Sequence, residues 1–398
     1  MTLLSDAILN ELGLVCALGR GRRDVLEALR EGRAPGMRTD LSYSTDGLPL
    51  RLGHVDGPLP SLEQKEPRDR SRTNQLILSA LMQIRPQVDE AVRRYGHDRV
   101  GVVMGTSTSG ISEAEGAFFE GRAGGHFPRR FHYGQMEIGS PSGFVARELG
   151  LSGPAFTVST ACSSSAKALI SARRLLRSGL CDAVIAGGAD SLCRLTSSGF
   201  LALEAVSREP CRPFGKDRTG INIGEAAALF LVSRVGKGPV LKGAGESSDA
   251  HHISAPLPDG SGAATAMRAA LKDAGLEAAD IDYVNAHGTA TPQNDAMESR
   301  AVSDVLGPRV PLSSTKPLSG HTLGAAGALE AAFCWLLLEA GEAGFLPFQP
   351  DPGPRDDSLP YLNLVYEGPA RATRLRRVMS NAFGFGGSNT SLILCSAP

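Results

Sequence analysis

The sequence has little that would mark a secreted, metal-binding or membrane protein. Its seven cysteines are odd in number and include no Cys-x-x-Cys pair, which favours reduced thiols over a disulfide framework or a zinc site. No uninterrupted apolar run approaches the ~18 residues of a membrane span, and the N-terminus lacks the pattern of a signal peptide. A net charge of −1 provides no overall attraction to nucleic acid or membrane surfaces. We therefore expect a soluble, cytoplasmic protein.

What the sequence does contain is an alternation of strand and helix signals over 398 residues, a length that fits two domains or one large duplicated unit. Strand signals occur at 100–104, 154–158, 183–189, 227–232, 281–285 and 310–313, and helical periodicities at 74–94, 166–176, 260–275, 294–306 and 324–340. This alternation predicts an α/β protein with mostly parallel or mixed sheets covered by helices. Because the pattern repeats after a Gly- and Pro-containing boundary at 233–240, we divide the chain into two halves, 1–235 and 236–398.

Glycine and proline mark three expected interruptions of this pattern. We expect a turn at Gly13 and a kink or break at Pro86, because proline removes a backbone donor from a helix. A helix is expected to start at Gly224.

The apolar, β-branched segment 154–158 is expected to be a buried strand.

Cys162 lies where the strand 154–158 turns into the helix that follows it. At a helix N-terminus, unpaired N–H groups and the positive end of the helix dipole favour the thiolate over the thiol. A thiolate so placed is a candidate nucleophile. A lone cysteine on a tight turn is more often a buried structural residue, so the rest of the chain has to decide between the two.

Two histidines follow later strands, His287 after 281–285 and His321 after 310–313. Loops at the carboxyl ends of strands are where open α/β sheets place ligands. The cysteine could carry an acyl group, and two neutral imidazoles could donate hydrogen bonds to an oxygen that becomes negatively charged. Lys316 could pair with Asp295 or Glu298 and hold that network, or could be a solvated surface lysine.

These residues belong to a series of motifs between Gly13 and Leu394. The motifs are TACSSS (160–165), AGGAD (186–190), RPFGKDRTG (212–220), GEAAALFLV (224–232), SSDAHH (247–252), YVNAHGTATPQND (283–295), SSTKPLSGHTLGAAGALE (313–330) and SNAFGFGGSNTSLIL (380–394). With them the sequence resembles the β-ketoacyl-acyl-carrier-protein synthases, condensing enzymes of the elongating type with a Cys-His-His triad. The resemblance implies a thiolase-like, five-layered αβαβα fold of two pseudo-duplicated halves with mixed sheets.

The same resemblance implies roles for individual residues. Cys162 would take the acyl group from a carrier protein as a thioester, while His287 and His321 would promote decarboxylation of malonyl-carrier protein and stabilise the enolate. Lys316, Asp295 and Glu298 would support them. The N–H groups of Cys162 and Phe385 would form the oxyanion hole, the Phe385 ring would gate the pocket, and the substrate and pantetheine contacts would be Thr289, Thr291, Thr108, Phe200, His252 and Phe383. No metal or other cofactor is implied, because substrates arrive on the phosphopantetheine arm of an acyl carrier protein.

Residue types exclude several relatives within this superfamily. Chain-initiating synthases use His and Asn where this chain has His287 and His321, and chain-length factors lack the nucleophile that Cys162 provides. Degradative thiolases carry a second cysteine on the C-terminal glycine loop, and the loop 383–388 has none. That loop is not a dinucleotide fingerprint either, because a strand and not a helix is predicted after it. We therefore expect an active condensing enzyme.

Substrate and partners follow from a narrower resemblance. Fatty-acid elongating members place a bulky aliphatic residue where this chain has Thr108, and segments 34–37, 73–76 and 105–110 resemble the ketosynthases of bacterial aryl polyene clusters. Those enzymes extend conjugated chains started from an aromatic acid and often pair with a chain-length-factor-like subunit. We expect aryl polyene elongation by a homodimer or such a heterodimer. Primary fatty-acid elongation and a non-catalytic, chain-length-determining role remain the alternatives.

Acidic carrier proteins call for a local basic patch, since electrostatic complementarity guides such encounters. The arginines that match the family's docking regions are Arg68, Arg70, Arg72, Arg129 and Arg130. Single arginines are more often ordinary solvated surface. One departure from the family pattern is Glu204, which stands where some relatives carry a docking arginine.

Overall fold

Two groups of strands with the same topology form the framework of the protein, as seen in a computed structural model that describes residues 7–366, 368 and 374–397. The strands of the first half are β1 (Ala7–Cys16), β2 (Gly19–Arg20), β3 (Met37–Asp40), β4 (Leu50–Gly53), β5 (Val100–Gly105), β6 (Ala155–Val158), β7 (Ala183–Asp190) and β8 (Ala226–Ser233). Its helices are α1 (Arg22–Glu31), α2 (Arg72–Tyr95), α3 (Ile111–Gly124), α4 (Ser140–Leu149), α5 (Ser164–Arg177) and α6 (Arg194–Ala202). The strands of the second half are β9 (Val240–Ser248), β10 (Tyr283–Asn285), β11 (Pro311–Ser313), β12 (Asn363–Leu364), β13 (Arg377–Gly384) and β14 (Ser388–Cys395). Its helices are α7 (Ser261–Ala274), α8 (Pro292–Val305), α9 (Lys316–Ser319) and α10 (Ala326–Glu339).

The two halves contribute sheets that are topological copies of each other and that join into one continuous set of 12 hydrogen-bonded strands, while β3 and β4 form a separate pair. In the first, β5 is parallel to β6 and β7, while β8 joins β7 and β1 in antiparallel ladders. In the second, β10 is parallel to β11 and β13, while β14 joins β13 and β9 in antiparallel ladders. The sheets meet at one edge, where β1 pairs with β9 at Ala7–Leu241 and Ile8–Val240. This duplication confirms the predicted thiolase-like fold with mixed sheets.

Helices α5 and α10 pack against each other between the two sheets. Helix α10 is buried on all sides from Ala326 to Leu338, as expected for a helix that is apolar all round. Gly327 allows the close approach, since a Cβ there would lie 2.7 Å from the main-chain nitrogen of Ala166. Helices α2 and α4 cover the first sheet, and α7, with α8 packed beside it, covers the second, which completes five layers. No helix within the described residues is long and apolar enough to cross a membrane.

Three local predictions differ from the structure. Gly13 lies inside β1 and is not a turn. The residue is glycine because a Cβ there would come within 2.1 Å of the Ala80 carbonyl oxygen on α2. Helix α2 continues through Pro86, which lies on its exposed face, where water can bond the freed carbonyl. No helix starts at Gly224, which leads directly into β8. Gly13 therefore allows close packing of β1 against α2, and exposure to solvent lets α2 continue through Pro86 without a break.

Strand β6 is not buried as predicted. It pairs with β5 on one side, and within the described residues it has no second neighbour in the sheet. Ala155 and Phe156 are exposed, the latter by 39%. An apolar run of this length predicts a strand but not its place in the sheet, so the burial of the strand does not follow from its composition.

Candidate active site

Cys162 occupies a tight connection between β6 and α5. The preceding residue, Ala161, has a φ of 52°, a left-handed conformation that costs energy for a residue with a Cβ. The Ser164 hydroxyl donates to the Ala161 carbonyl and accepts a 2.8 Å hydrogen bond from the Thr160 N–H, which holds the turn. Gly384 of β13 lies against this turn, since a Cβ there would lie 2.9 Å from the Thr160 carbonyl oxygen. The turn thus presents the cysteine side chain immediately before α5.

The sulfur of Cys162 is buried among hydrogen-bonding groups. Nε2 of His321 lies 3.0 Å from Sγ, and the main-chain N–H groups of Phe385 and Cys162 face the sulfur. Burial nevertheless has the largest influence and raises the pKa of Cys162 to about 11, although Lys316 and the two N–H groups act in the opposite direction. The predicted stabilisation of the thiolate is therefore wrong for the free protein, because removing the charge from water outweighs the helix terminus.

Alkylation of Cys162 should report this raised pKa. Only the thiolate reacts, so the rate should keep rising, by roughly tenfold per pH unit, up to about pH 10, whereas that of an ordinary cysteine levels off above about pH 9. Iodoacetamide labelling of the Cys162 peptide, followed by mass spectrometry between about pH 7 and 10, provides the measurement. A plateau below about pH 8 would show that the site favours the thiolate after all.

His287 follows β10 and is held by side chains from two other segments. The main-chain N–H of His287 donates to Glu298 Oε1 at 2.8 Å, and the main-chain N–H of Gly288 donates to Glu298 Oε2 at 2.7 Å. Nζ of Lys316 donates to the His287 carbonyl and lies 3.3 Å from its Nδ1. Burial, followed by the charges of Lys316 and His321, lowers the pKa of His287 well below its usual value. Because an ammonium group can only donate, Nδ1 accepts and Nε2 carries the proton of the neutral ring.

The buried partner of Lys316 is Glu330 of α10, and not either of the predicted carboxylates of α8. The side chains of this ion pair are only 1% and 2% exposed. Burial raises the pKa of Glu330 to about 7, opposed by the charge of Lys316. Sequence reasoning did not include Glu330, although a signal was present: it is the only charged residue in 326–338. A lone charge on a helix that is otherwise apolar requires a buried partner.

The two predicted carboxylates of α8 accept hydrogen bonds from the main chain of the His287 loop. Asp295 accepts hydrogen bonds from the N–H groups of Phe214 (2.7 Å) and Ala290 (3.2 Å), and Glu298 binds the loop as described above. Burial raises the pKa of Asp295 to about 6 and that of Glu298 to about 7. Both therefore stabilise the backbone of the loop, and neither contacts Lys316.

His321 lies shortly before α10, where its ring meets both other members of the triad. The rings of His287 and His321 have centroids 5.3 Å apart and are nearly perpendicular, at 84°. One nitrogen of each ring and the Cys162 sulfur all lie within 4.8 Å of one another. Burial, followed by the charge of Lys316, lowers the pKa of His321 well below its usual value. Two neutral imidazoles thus face the sulfur, an arrangement able to stabilise an oxygen that becomes negative during reaction.

An apolar cavity of about 130 Å³ opens onto Cys162 and both histidines. Its apolar wall consists of Phe200, Leu203, Ala205, Ile221, Phe383 and Phe385. Thr289 and Thr291 line its polar side, and their hydroxyls share a hydrogen bond of 2.9 Å. The rings of Phe200 and Phe385 lie 5.4 Å apart, tilted by 48°. The cavity therefore has a polar wall and an aromatic wall, and the sulfur is exposed to it.

Two predicted substrate residues are not brought to this cavity. His252 is exposed, and its Nδ1 accepts from the N–H of Ser254 at 3.2 Å; the adjacent 254–256 lines the cavity instead. Thr108 is buried, but its hydroxyl donates to Asp190 at 2.7 Å. Its hydroxyl is therefore bound to a carboxylate and is not offered to an acyl chain.

All five predicted docking arginines remain at least partly exposed: Arg68, Arg70, Arg72, Arg129 and Arg130. Arg68 and Arg130 form surface ion pairs with Glu66 and Glu120. Arg72 differs, because its Nε donates at 2.7 Å to the fully buried carboxylate of Glu225. Arg72 therefore stabilises the packing of α2 and is not a free surface cation. Glu204 is exposed and lies between the cavity residues Leu203 and Ala205, where it places a negative charge close to the wall of the cavity.

Comparison with known proteins relates this geometry to a family. The sequence-family model for the beta-ketoacyl synthase N-terminal domain matches residues 14–237, and the family model for the C-terminal domain matches residues 239–344. The chain is 32% identical to 3-oxoacyl-[acyl-carrier-protein] synthase 2 of Synechocystis sp., over 97% of this chain and 96% of the relative.

Solved structures agree with the sequence relatives. The ketosynthase (ApeO) in complex with its chain length factor (ApeC) from Xenorhabdus doucetiae superposes with a TM-score of 0.94 at 46% identity, covering 100% of this chain and 99% of that one. The ishigamide ketosynthase/chain length factor has a TM-score of 0.89 at 29% identity and full coverage of both chains. Sequence, fold and family models converge, and the chain belongs to the beta-ketoacyl synthase family.

Proposed function

We propose that the protein is a 3-oxoacyl-[acyl-carrier-protein] synthase that condenses an acyl group held on Cys162 with a malonyl unit on a carrier protein, and that its acyl chains are conjugated aryl polyenes. The observation that carries the proposal is the buried sulfur facing two neutral imidazoles, at the wall of an apolar cavity. In this proposal the half 1–235 supplies the nucleophile, and the half 236–398 supplies the histidines.

The first step is transfer of the acyl group to the cysteine. Sγ attacks the thioester carbonyl of the acyl-carrier protein, the bond to the pantetheine sulfur breaks, and the departing sulfur takes the thiol proton. His321, with Nε2 at 3.0 Å from Sγ, is placed to relay that proton. The N–H groups of Cys162 and Phe385, which face the sulfur, stabilise the tetrahedral oxyanion.

The second step forms the new carbon–carbon bond. The malonyl thioester loses CO2, and the electron pair of the broken bond moves to the thioester oxygen to give an enolate. The Nε2–H of His287 donates a hydrogen bond to that oxygen. The enolate carbon then attacks the acyl-Cys162 carbonyl and expels the sulfur, which leaves a β-ketoacyl chain on the carrier. Neutral imidazoles suit this step because a charged ring would be costly in so buried a site.

The aromatic wall of the cavity supports the choice of substrate class. Phe200 and Phe385 place two aromatic rings in the lining of the cavity that contains the reacting sulfur, and aromatic rings favour offset or edge contacts with other π-systems. The sequence resemblance to aryl polyene ketosynthases and the 46% identity to ApeO support the same choice. Thr108 gives no support, because its hydroxyl is bound to Asp190. Primary fatty-acid elongation is the second candidate, favoured by the name of the Synechocystis relative.

A comparison of two acyl-carrier proteins tests the substrate class. We expect kcat/KM for an aryl-polyenoyl carrier to exceed that for a saturated acyl carrier of equal length by about tenfold or more. Replacing Phe200 by leucine keeps the wall apolar but removes a ring, so this ratio should fall while turnover of the saturated chain persists. Equal rates, or a preference for the saturated chain, would refute the aryl polyene proposal and leave the condensing activity standing.

Two kinds of protein partner belong to the proposal. An acyl carrier protein delivers both substrates, and the exposed arginines Arg68, Arg70, Arg129 and Arg130 are the proposed docking cations. The second partner is another ketosynthase-fold chain, either a second copy or a chain-length-factor-like subunit. The open edge and exposed apolar side chains of β6 support an interface there, since exposed strand edges readily pair with another chain.

A further inference from the structure

We propose that Asn222 is a positioning residue for His321, and that its buried amide sets the contact between His321 Nε2 and the Cys162 sulfur. The contact does not depend on the identity of the acyl chain. Three observations support this role: the three buried hydrogen bonds of the Asn222 amide, the main-chain contact of Asn222 with His321, and the absence, among the described residues, of a hydrogen-bonding partner for Nδ1 of His321.

Asn222 is 1% exposed, and its side chain makes three hydrogen bonds, all with one neighbouring loop. Oδ1 accepts from the N–H of Cys211 at 2.8 Å. Nδ2 donates to the carbonyls of Ser207 and Glu209 at 2.9 and 3.0 Å. A polar residue between the buried Ile221 and Ile223 would be costly without such partners. Its amide therefore ties the segment 207–211 to the strand-like segment 221–224.

The main chain of the same segment holds His321. The N–H of His321 donates to the Asn222 carbonyl at 2.6 Å, and the His321 carbonyl accepts from the N–H of Gly224 at 3.0 Å. On its other side the segment bonds Gly53, whose N–H donates to the carbonyl of Ile223 at 2.8 Å. His321 is thus fixed as one member of a short parallel bridge, and a shift of residues 221–224 moves it directly.

The ring of His321 has no comparable support of its own. His287 has Lys316 at its Nδ1, whereas Nδ1 of His321 contacts no hydrogen-bonding group among the described residues. The position of its Nε2, 3.0 Å from the sulfur, therefore depends on where the backbone places the residue. Displacement of a reacting group by about 1 Å can cost on the order of 10²-fold in rate.

The segment 207–211, which the Asn222 amide holds, also leads to the loop of the other histidine, His287. Three residues after Cys211, the N–H of Phe214 donates to Asp295 at 2.7 Å, and Asp295 accepts from Ala290 in the His287 loop. Asn222 is the group that ties this chain of contacts to the His321 backbone. We therefore expect its loss to change the spacing between His321 and the cysteine more than it changes substrate binding.

The variant Asn222→Val tests this role, with Gln83→Val as its matched control. The amide of Gln83 also makes three hydrogen bonds to main-chain groups, but on α2 against Leu14 and Ser79. For Asn222→Val we expect kcat to fall by about tenfold or more with KM for the carrier protein changed less than about twofold, because positioning and not binding is lost. Gln83→Val should lower the melting temperature comparably and leave both constants within about twofold.

A second measurement needs no substrate and separates positioning from general destabilisation. The rate of iodoacetamide alkylation at Cys162 should fall about fivefold in Asn222→Val, since the thiol loses the nitrogen that accepts its proton, and should be unchanged in Gln83→Val. In a His321→Ala background the same substitution should have no further effect, because its influence passes through His321. An unchanged alkylation rate, or an equal decrease with and without His321, would overturn the proposal. If Asn222→Val does not fold, Asn222→Ser, which retains one donor and one acceptor, should show a smaller effect of the same sign.

Discussion

Replacing His287 by alanine should lower the rate of condensation by about 10²–10³-fold while acylation of Cys162 remains within about threefold of the wild type. The reason is the division of contacts around the triad. His321 and the N–H groups of Phe385 and Cys162 face the sulfur, whereas His287 is oriented by Lys316 so that its Nε2–H points away from that ion pair. Acyl transfer thus needs the first set, and enolate formation needs His287.

The measurement is the separate determination of two rates on one protein sample. Transfer of the acyl group from its carrier is followed by intact-protein mass spectrometry, and condensation by the β-ketoacyl product after malonyl-carrier protein is added. His321→Ala is the matched comparison and should slow both steps, because its Nε2 contacts the sulfur. If folded His287→Ala failed to acquire the acyl group at all, the assignment of His287 to the second step would be wrong.

Replacing Lys316 by methionine should affect both stability and catalysis. The substitution leaves Glu330 buried without its cation, which we expect to cost about 3 kcal/mol in the free energy of unfolding. The pKa of Glu330 already lies at about 7, above the usual value for a carboxyl, so protonation stabilises the folded state and stability is lost as pH rises. Without Lys316 that pKa rises further, so the destabilisation should be larger at about pH 9 than at about pH 6.

A second substitution separates the two roles of Lys316. In Lys316→Met/Glu330→Gln neither charge of this buried pair remains, so the melting temperature should recover and its extra pH dependence should disappear. Condensation should stay roughly 10²-fold below the wild type, because Nδ1 of His287 still lacks its donor and the ring is free to adopt the other tautomer. Recovery of full activity together with stability would show that Lys316 acts only as the partner of Glu330.

The positions of the three triad residues could be predicted because each lies in a loop between strongly patterned elements. Cys162 follows one short β-branched run and His287 another, and loops at the carboxyl ends of strands are where α/β sheets place ligands. The alternation of elements likewise predicted the duplicated halves. These are local signals, and the structure changes their boundaries by only a few residues.

What could not be predicted depends on contacts between distant segments. The partner of Lys316 is set by the burial of α10 between the two sheets. The pKa of Cys162 depends more on the burial of its own sulfur than on the helix terminus. Thr108 meets Asp190 across 82 residues of sequence. The exposure of β6 depends on its place in the sheet, which its own composition does not encode. In each case tertiary packing outweighed a local preference.

The most direct test of the whole account is the mass of the protein after incubation with an acyl-carrier protein. We predict an increase equal to one acyl group, located on the peptide that contains Cys162, and its disappearance with formation of a β-ketoacyl product when malonyl-carrier protein follows. Cys162→Ala should show neither change. A wild-type protein that stays unmodified, or a Cys162→Ala variant that is still acylated and still condenses, would contradict the assignment of Cys162 as the acyl-accepting nucleophile.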